Sequence, residues 1–515
     1  MPRPILRAAL LGALLTASAC AQTAPAHPQW RGLWVDAFGP GLKTPEQVTK
    51  LVADARALHL NVLFAQVGRR MDCYCTTASV SRTEDPEVPA GFDPLADLIA
   101  KAHAANIQVH AWMITTAAWN SAKPPKDPNH VFNLHGPSRT GADMWMTVKN
   151  DGTLKSGADW VLDPAVPGAE AYIADMYASV VRNYDVDGIM LDRVRYPDSG
   201  TPGLAAWGYN PVTLARYAAE TGRAGTPDPR DPAWTDWRRT QVSHMVRRIA
   251  LEVKKVRPSV WVDAATITYG QGPGGLTSDE PNSGSTVPGG ARSGQPMAWT
   301  VSRPYTEVLQ DWAGWLRAGE LDASVMMNYK RDFVPAQADW YRHWNSFGAR
   351  SKALGRVIAG SAVYLNPQAN STDQARQALA AGLDGWAAYS YRTPDPDVNA
   401  SKRSYEQVLP ELTARLAGPG GPFESPAPTL DRPDTGHLRA VEGRVMKGDR
   451  PLSGVTVHLL SDGTEAARTT TDANGGYGFF YPPLETFTVQ VDGAGPVSGE
   501  SVAGAVTDLP DLVVP

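Results

Sequence analysis

The sequence predicts an α/β chain: a (β/α)8 barrel followed by a small all-β sandwich. Three observations carry this. Eight short apolar runs alternate with helical patterns between Trp30 and Leu416. Each run ends in polar or aromatic residues, as a parallel barrel requires, because such barrels present their functional groups at strand C-termini. After a Pro/Gly-rich stretch at 418–434, strand-like alternation replaces helical spacing. A doubly wound sheet is the competitor. The residues after the first run, Phe38-Gly39-Pro40-Gly41, do not fit its nucleotide-binding GxGxxG turn.

The chain opens on an export signal. Arg3 and Arg7 precede a short apolar segment, Ala8 to Leu15, too short to span a membrane. Ala17-Ser18-Ala19-Cys20 follows and reads as a lipoprotein box, with Cys20 lipidated after cleavage. Ordinary secretory cleavage near Ala19 or Ala21 is the rival. Residues 1–20 are thus the signal and 21–29 a tether, and the chain is expected in the cell envelope, held to the membrane through Cys20. Cys73 and Cys75 lie two apart, where a bridge would be strained but not impossible. Without a CxxC pair or a His-rich tract, no metal is expected, and no cofactor.

The first strand is read at 32–38, GLWVDAF, and a helix opens at Thr44-Pro45-Glu46. NVLFAQV (61–67) is the second strand. A turn-rich loop at 71–91 leads to a helix begun by Asp93-Pro94. IQVHAWMI (107–114) is the third strand, and a long loop reaches to about Pro164. An amphipathic helix from Pro167 to Tyr184 feeds the fourth strand, in YDVDGIMLDRVRYP. A helix at 237–256 precedes SVWVDAAT (259–266), the fifth. A Gly/Ser/Pro-rich insertion fills 270–296, and 308–316 is helical. ASVMMNY (323–329), RVIAGSAVY (356–364) and GWAAYSY (385–391) complete the eight. A helix starting at Thr372-Asp373 lies between the last two, and 404–416 is the final helix. The barrel domain spans 30–417, the linker 418–434 and the sandwich 435–515.

In YDVDGIMLDRVRYP, Met190 and Asp192 share one face of the strand, and Leu191 and Arg193 share the other. An acid at the end of a buried strand is either a catalytic carboxylate or half of an ion pair. The other strand ends tip the balance. They carry Trp34 and Asp36; Gln66, Arg69 and Arg70; His110 and Trp112; Arg193, Arg195 and Tyr196 beside Asp192; Asp263; Asn328 and Tyr329; and Tyr391.

Carboxylates, aromatics, amides and arginines at one rim suit a glycosidase. One carboxyl donates a proton and a second attacks or activates water, while aromatic faces stack on sugars. Asp192 is the central candidate and Asp263 its partner by strand position. Asp36, Asp332 and the loop residue Glu84 are further candidates, and Asp187 reads as structural. No G-x-S-x-G elbow or P-loop is present, and a net charge of −5 argues against nucleic acid as ligand. A glycan-binding envelope lipoprotein without catalysis is the reading from another class. A deacetylase or esterase would want a metal cluster or a Ser–His pair.

RGLWVDAF, LNVLFAQVGRR with CYC, FDPLADLIAKAHAANIQVHAW and YDVDGIMLDRVRYP together resemble the bacterial glycosyl-hydrolase-like family 10 proteins. The resemblance runs from about Gln29 to Leu416. It implies a TIM barrel and glycoside hydrolysis in the cell envelope, and one branch acts on peptidoglycan glycan strands lacking stem peptides. It places Asp192 on the family's fourth-strand acid, Arg195 and Tyr196 on its R-Y-P, and His110 and Trp112 on its H-A-W. Many relatives have Ser-Pro where this chain has Asp263-Ala264. The tail resembles carboxypeptidase-regulatory-like or transthyretin-like sandwich modules, through Gly443–Val445, Pro451–Val457 and Thr471–Phe479.

Overall fold

A computed structural model describes residues 27–274, 298–353, 355–433, 436–482 and 485–515. Cys20, most of the tether and most of the Gly-rich insertion lie outside the described residues.

Eight parallel strands close into a barrel. They are β1 (Trp30–Val35), β2 (Val62–Gly68), β3 (Gln108–Ile114), β4 (Gly188–Asp192), β5 (Trp261–Ile267), β6 (Ala323–Met327), β7 (Arg356–Ala362) and β8 (Gly385–Tyr389). Each pairs with its chain neighbours, and β8 closes on β1. Every predicted strand is present, though β1, β6, β7 and β8 end two or three residues before the apolar run does. The run overshoots because apolar and aromatic residues continue into the loops that cover the rim.

The main helices outside the barrel are α1 (Pro45–Ala57), α2 (Pro94–His103), α3 (Pro167–Asn183), α4 (Pro211–Thr221), α5 (Pro232–Val256), α6 (Trp312–Ala318), α7 (Pro335–Arg350), α8 (Gln368–Ala380) and α9 (Tyr405–Leu416). Their starts are set by local chemistry. Thr44, Asp93, Asn210 and Asp231 each accept a hydrogen bond from the first turn, with Pro in the first positions. Ser404 and Gln407 form a capping box on α9. Helix α4, with its Asn210-Pro211 start and Gly222 stop, is an element the sequence reading passed over.

Alternation along β4 sends Ile189 and Leu191 to the helical layer and Met190 to the barrel interior. That interior is aromatic: Trp30, Trp34, Phe64, Trp112 and Trp261 pack there with Met190 and Val325. Gly188 makes room for it. A Cβ there would lie 2.3 Å from His110 Nδ1.

The stretch at 418–433 is a seal as well as a connection. Leu430 joins the interior cluster. Arg31 donates to the Ser425 carbonyl (2.8 Å), and Asn61 to that of Ala427 (3.2 Å). Arg432 pairs with Asp187. These contacts run along the end of the barrel where the strands begin. Asp187 also accepts from the Val109 amide and faces His103, which gives it the structural role expected of it.

The C-terminal residues form a five-stranded and a four-stranded sheet around Val441, Val457, Leu459, Tyr477, Phe479 and Val489. This sandwich docks on α3 and α5. Arg248 binds Asp472 and Glu442, each at 2.9 Å. Asn474 donates to Glu170 (3.0 Å), and His244 meets Thr470 (2.9 Å). Among the described residues, no helix is long and apolar enough to cross a membrane.

Candidate active site

The rim at the strand C-termini is organised by Asp192, the last residue of β4 and partly exposed. Its carboxylate is held from two sides. Trp112 donates its indole N–H to Oδ2 at 3.0 Å, and the Arg193 amide donates to Oδ1 at 2.6 Å. Register explains the first contact. Trp112 pairs with Met190, one inward step below Asp192, so its ring reaches up to the carboxylate. Arg193 has a φ of 52°, the left-handed region that costs a non-glycine residue about 1 kcal/mol or more. That turn aims its amide at Asp192 and its guanidinium outward to Asp159, 2.5 Å away.

Asp192 stands on an aromatic floor. Trp34, Trp112 and Tyr329 each pack against Tyr389, with ring centroids 6.0, 6.2 and 5.4 Å away. Trp34 is itself fixed by donating to Met190 Sδ at 3.2 Å. Burial, and then the charges of Asp36 and Asp192, push the Tyr389 phenol up. Tyr329 is pushed up by burial, Tyr389 and Asp192. Both phenols therefore stay protonated and can donate hydrogen bonds.

Around this floor the expected residues divide. Asp36 accepts from Ser390 Oγ (2.9 Å), the Phe38 amide (3.0 Å) and Arg392 (3.2 Å), and it is buried. Gln66 takes the Ala37 amide at 3.0 Å and fixes the same turn. Arg69, Arg70, Arg193 and Arg195 all reach the rim. Arg69 and Arg70 border a cavity of about 280 Å³ with Glu84, Trp119 and His130. Arg193 and Arg195 border one of about 140 Å³ with Asp159, Asp198 and Tyr269.

Five expected positions are corrected. Asp263 is the third residue of seven in β5, fully buried, and bonded to His110 Nδ1 at 2.5 Å. Neither Asp263 nor His110 stands at the rim; both lie inside the barrel among Trp30, Phe64 and Trp261. Burial lifts the Asp263 carboxyl to about 6, while the His110 charge and hydrogen bond pull it down. Tyr391 turns outward and donates to Asp54 of α1 at 2.7 Å. Asn328 is buried and donates to Asn345 and the Tyr341 carbonyl on α7. Tyr196 is buried and donates to Asp163 at 2.8 Å. In all three the strand has already ended or turned, so alternation no longer predicts direction. Asp332, an alternative acid, accepts from Asn370 and Gln377 of α8.

Several rim residues escaped the sequence reading. Asp159 comes from a small sheet made by Ala117–Trp119, Lys155–Ser156 and Asp159–Val161, inside the long loop after β3. Its only signal was the short polar-apolar hairpin around Gly157. Tyr389 was hidden in the apolar run of β8. Phe38, 53% exposed, lies under Arg69 with its ring 4.7 Å from the guanidinium. The Cys73–Cys75 bridge is formed, and the residue between them, Tyr74, joins Arg69 to Asp85.

A family model described as Glycosyl hydrolase-like 10 matches residues 29–376, from β1 into α8. Glycosyl hydrolase YngK of Bacillus subtilis (strain 168) is 23% identical over 346 residues, which cover 65% of this chain and 59% of that protein. Glycosyl hydrolase DigH of Escherichia coli (strain K12) is 25% identical over 234 residues, 45% of each chain. The chain thus spans about half the length of the curated relatives it matches. Among solved structures, the PgaB (BpsB) glycoside hydrolase domain of Bordetella bronchiseptica aligns over 74% of this chain and 98% of that one, at 16% identity and a TM-score of 0.46. With seven of its eight barrel strands inside the matched residues, the chain belongs to the glycosyl hydrolase-like 10 family.

Proposed function

We propose that this protein is a glycoside hydrolase that cuts a cell-envelope polysaccharide, with Asp192 as the carboxylate acting at the scissile bond. The observation that carries the reading is the setting of Asp192. It is a partly exposed acid at a barrel strand end, fixed by an indole and an amide, above aromatic rings suited to a sugar face. The two relatives, both named as glycosyl hydrolases, point the same way.

Hydrolysis needs a second carboxyl. Asp159 is our choice over Asp263. It lines the rim, and Arg193 links the two acids, its guanidinium on Asp159 and its backbone amide on Asp192. Asp36 is spent on Ser390, Arg392 and its own turn. The N-terminal segment supports export with lipidation at Cys20, which would place the barrel beside envelope glycans. Peptidoglycan glycan strands stripped of stem peptides are the first substrate to test.

The test is release of new reducing ends from such strands. The wild type should release fragments, and Asp192→Asn should release roughly 10²–10⁴-fold less. Binding without release by the wild type would instead favour a glycan-binding envelope protein, and equal release by Asp192→Asn would overturn the assignment of Asp192.

A further inference from the structure

The cavity beside Arg70 carries more than a glycan groove needs. The backbone of Arg70 is pinned on both sides. Its amide and that of Arg69 donate to Asp72 Oδ1, both at 2.9 Å. Its carbonyl lies 2.9 Å from His130 Nε2. Burial holds His130 below its ordinary value, so the ring is neutral at neutral pH. Its Nδ1 accepts from the Phe132 amide, which leaves the proton on Nε2 to donate to Arg70.

A fixed backbone delivers the Arg70 guanidinium to the cavity, yet the protein supplies it little. Its Nε is buried without a partner among the described residues. Burial, and then the adjacent Arg69, pull its pKa down, so this is a cation held where cations are disfavoured. The neighbouring cations are otherwise engaged. Arg69 donates to Tyr74 Oη (3.0 Å) and the Ala37 carbonyl (3.4 Å), and Arg82 to the carbonyls of Pro89 and Phe92.

The acids facing the cavity are engaged too. Asp72 holds the two amides. Asp85 takes Lys43 at 3.0 Å and Tyr74 at 2.8 Å. Glu84 takes the Lys126 amide. Beside the unpaired guanidinium lies the ring of Phe38, 5.9 Å away, and Trp119 lines the same cavity as Arg70. Arg70 also lies within electrostatic reach of Asp159 and Arg193, which border the smaller rim cavity.

We propose that this cavity is an anion subsite: Arg70 pairs with a carboxylate borne by the glycan while Phe38 and Trp119 hold its sugar rings. A planar guanidinium matches a carboxylate in two-pronged geometry, and a desolvated one gains most from the match. The inference rests on the glycan-cleaving reading above, and it adds that the preferred glycan is acidic.

The test reads binding, so it stands apart from whether the protein cuts. Asp192→Asn protein is titrated calorimetrically with peptide-free peptidoglycan strands, whose alternate sugars carry a lactyl carboxylate. It is titrated again with the same strands after reduction of every carboxylate to an alcohol. The acidic strand should bind roughly ten- to hundredfold tighter. Adding Arg70→Met should shrink that preference to about twofold, and Arg70→Lys should restore part of it. Equal binding of the two strands, including no binding of either, overturns the subsite. So does an Arg70→Met variant that weakens both strands alike. Failure of the wild type to release reducing ends would count only against the hydrolase reading.

Discussion

Trp112 donates its indole N–H to Asp192 Oδ2 at 3.0 Å, from the adjacent barrel strand. One side chain thereby serves two purposes. Its face belongs to the aromatic floor, and its edge fixes the orientation of the carboxylate that the floor presents.

That bond should matter for turnover more than for affinity. Trp112→Phe keeps the ring and loses the donor. We expect kcat on glycan strands to fall about tenfold with KM within about twofold, because a positioned carboxylate loses a hydrogen bond worth ~1.5–3 kcal/mol. Equal kcat in variant and wild type would remove the positioning role.

Asp159→Asn should abolish release of reducing ends nearly as fully as Asp192→Asn, since both carboxyls are needed at one bond. Asp36→Asn should instead lower thermal stability, because it weakens ties to Ser390 and Arg392 beneath the rim. A fully active Asp159→Asn variant would return the search for the second acid to Asp36.

The pair inside the barrel predicts a loss of stability. Asp263→Ala leaves His110 without its partner in a dry core, and breaking such a pair costs roughly 3–5 kcal/mol. Chemical denaturation should show that loss, while the glycan affinity of the folded fraction stays at the wild-type level. A stable but non-binding Asp263→Ala variant would mean that the residue reaches the groove after all.

Glu170 predicts a pH effect. Its carboxyl is raised to about 8, first by burial and then by the charge of Asp472, with Arg216 and Arg248 opposing. An unfolded Glu titrates near ~4.3. The folded state thus favours the protonated acid. That contribution is complete below ~4.3 and is lost as pH rises through about 8. Between those values the wild type should lose stability relative to Glu170→Gln, which cannot ionise. Parallel stability curves for the two proteins would refute this.

Arg248 predicts how the two domains are coupled. It is the shared partner of Asp472 and Glu442, both buried at the junction. Arg248→Met leaves Asp472 without its ion-pair partner, while Glu442 keeps Lys255, and should destabilise docking by roughly 3–5 kcal/mol. Calorimetry should resolve one wild-type transition into two. A single, merely shifted transition would mean that the remaining contacts suffice.

The fold was largely legible because local rules agree with the global one. Each barrel strand is an apolar run bounded by turn signals, and each main helix opens on a cap that acts within one turn. The candidate site was legible in part. Asp192, Trp112, Trp34 and the four arginines were within reach because they stand at or near strand ends in alternating runs. Tyr391 and Asn328 were misplaced because they lie past the strand end, where alternation stops carrying information about direction. Asp159 was missed because its place at the rim depends on a hairpin folding back from a long loop.

By itself, the sequence determined the class of architecture, its eight strands, the separate β-domain and the acid at the end of β4. All of these follow from periodicity and chain-local chemistry. Only the tertiary structure decided which polar residues share a space. It sank Asp263 and His110 into the barrel, because depth along a strand depends on register with its neighbours. It brought Arg70 and Trp119 to one cavity from two different loops, and set Phe38 of a third loop beside Arg70. It also laid Arg193 between Asp159 and Asp192, a relation set by a left-handed turn and a loop-borne sheet that no local pattern encodes.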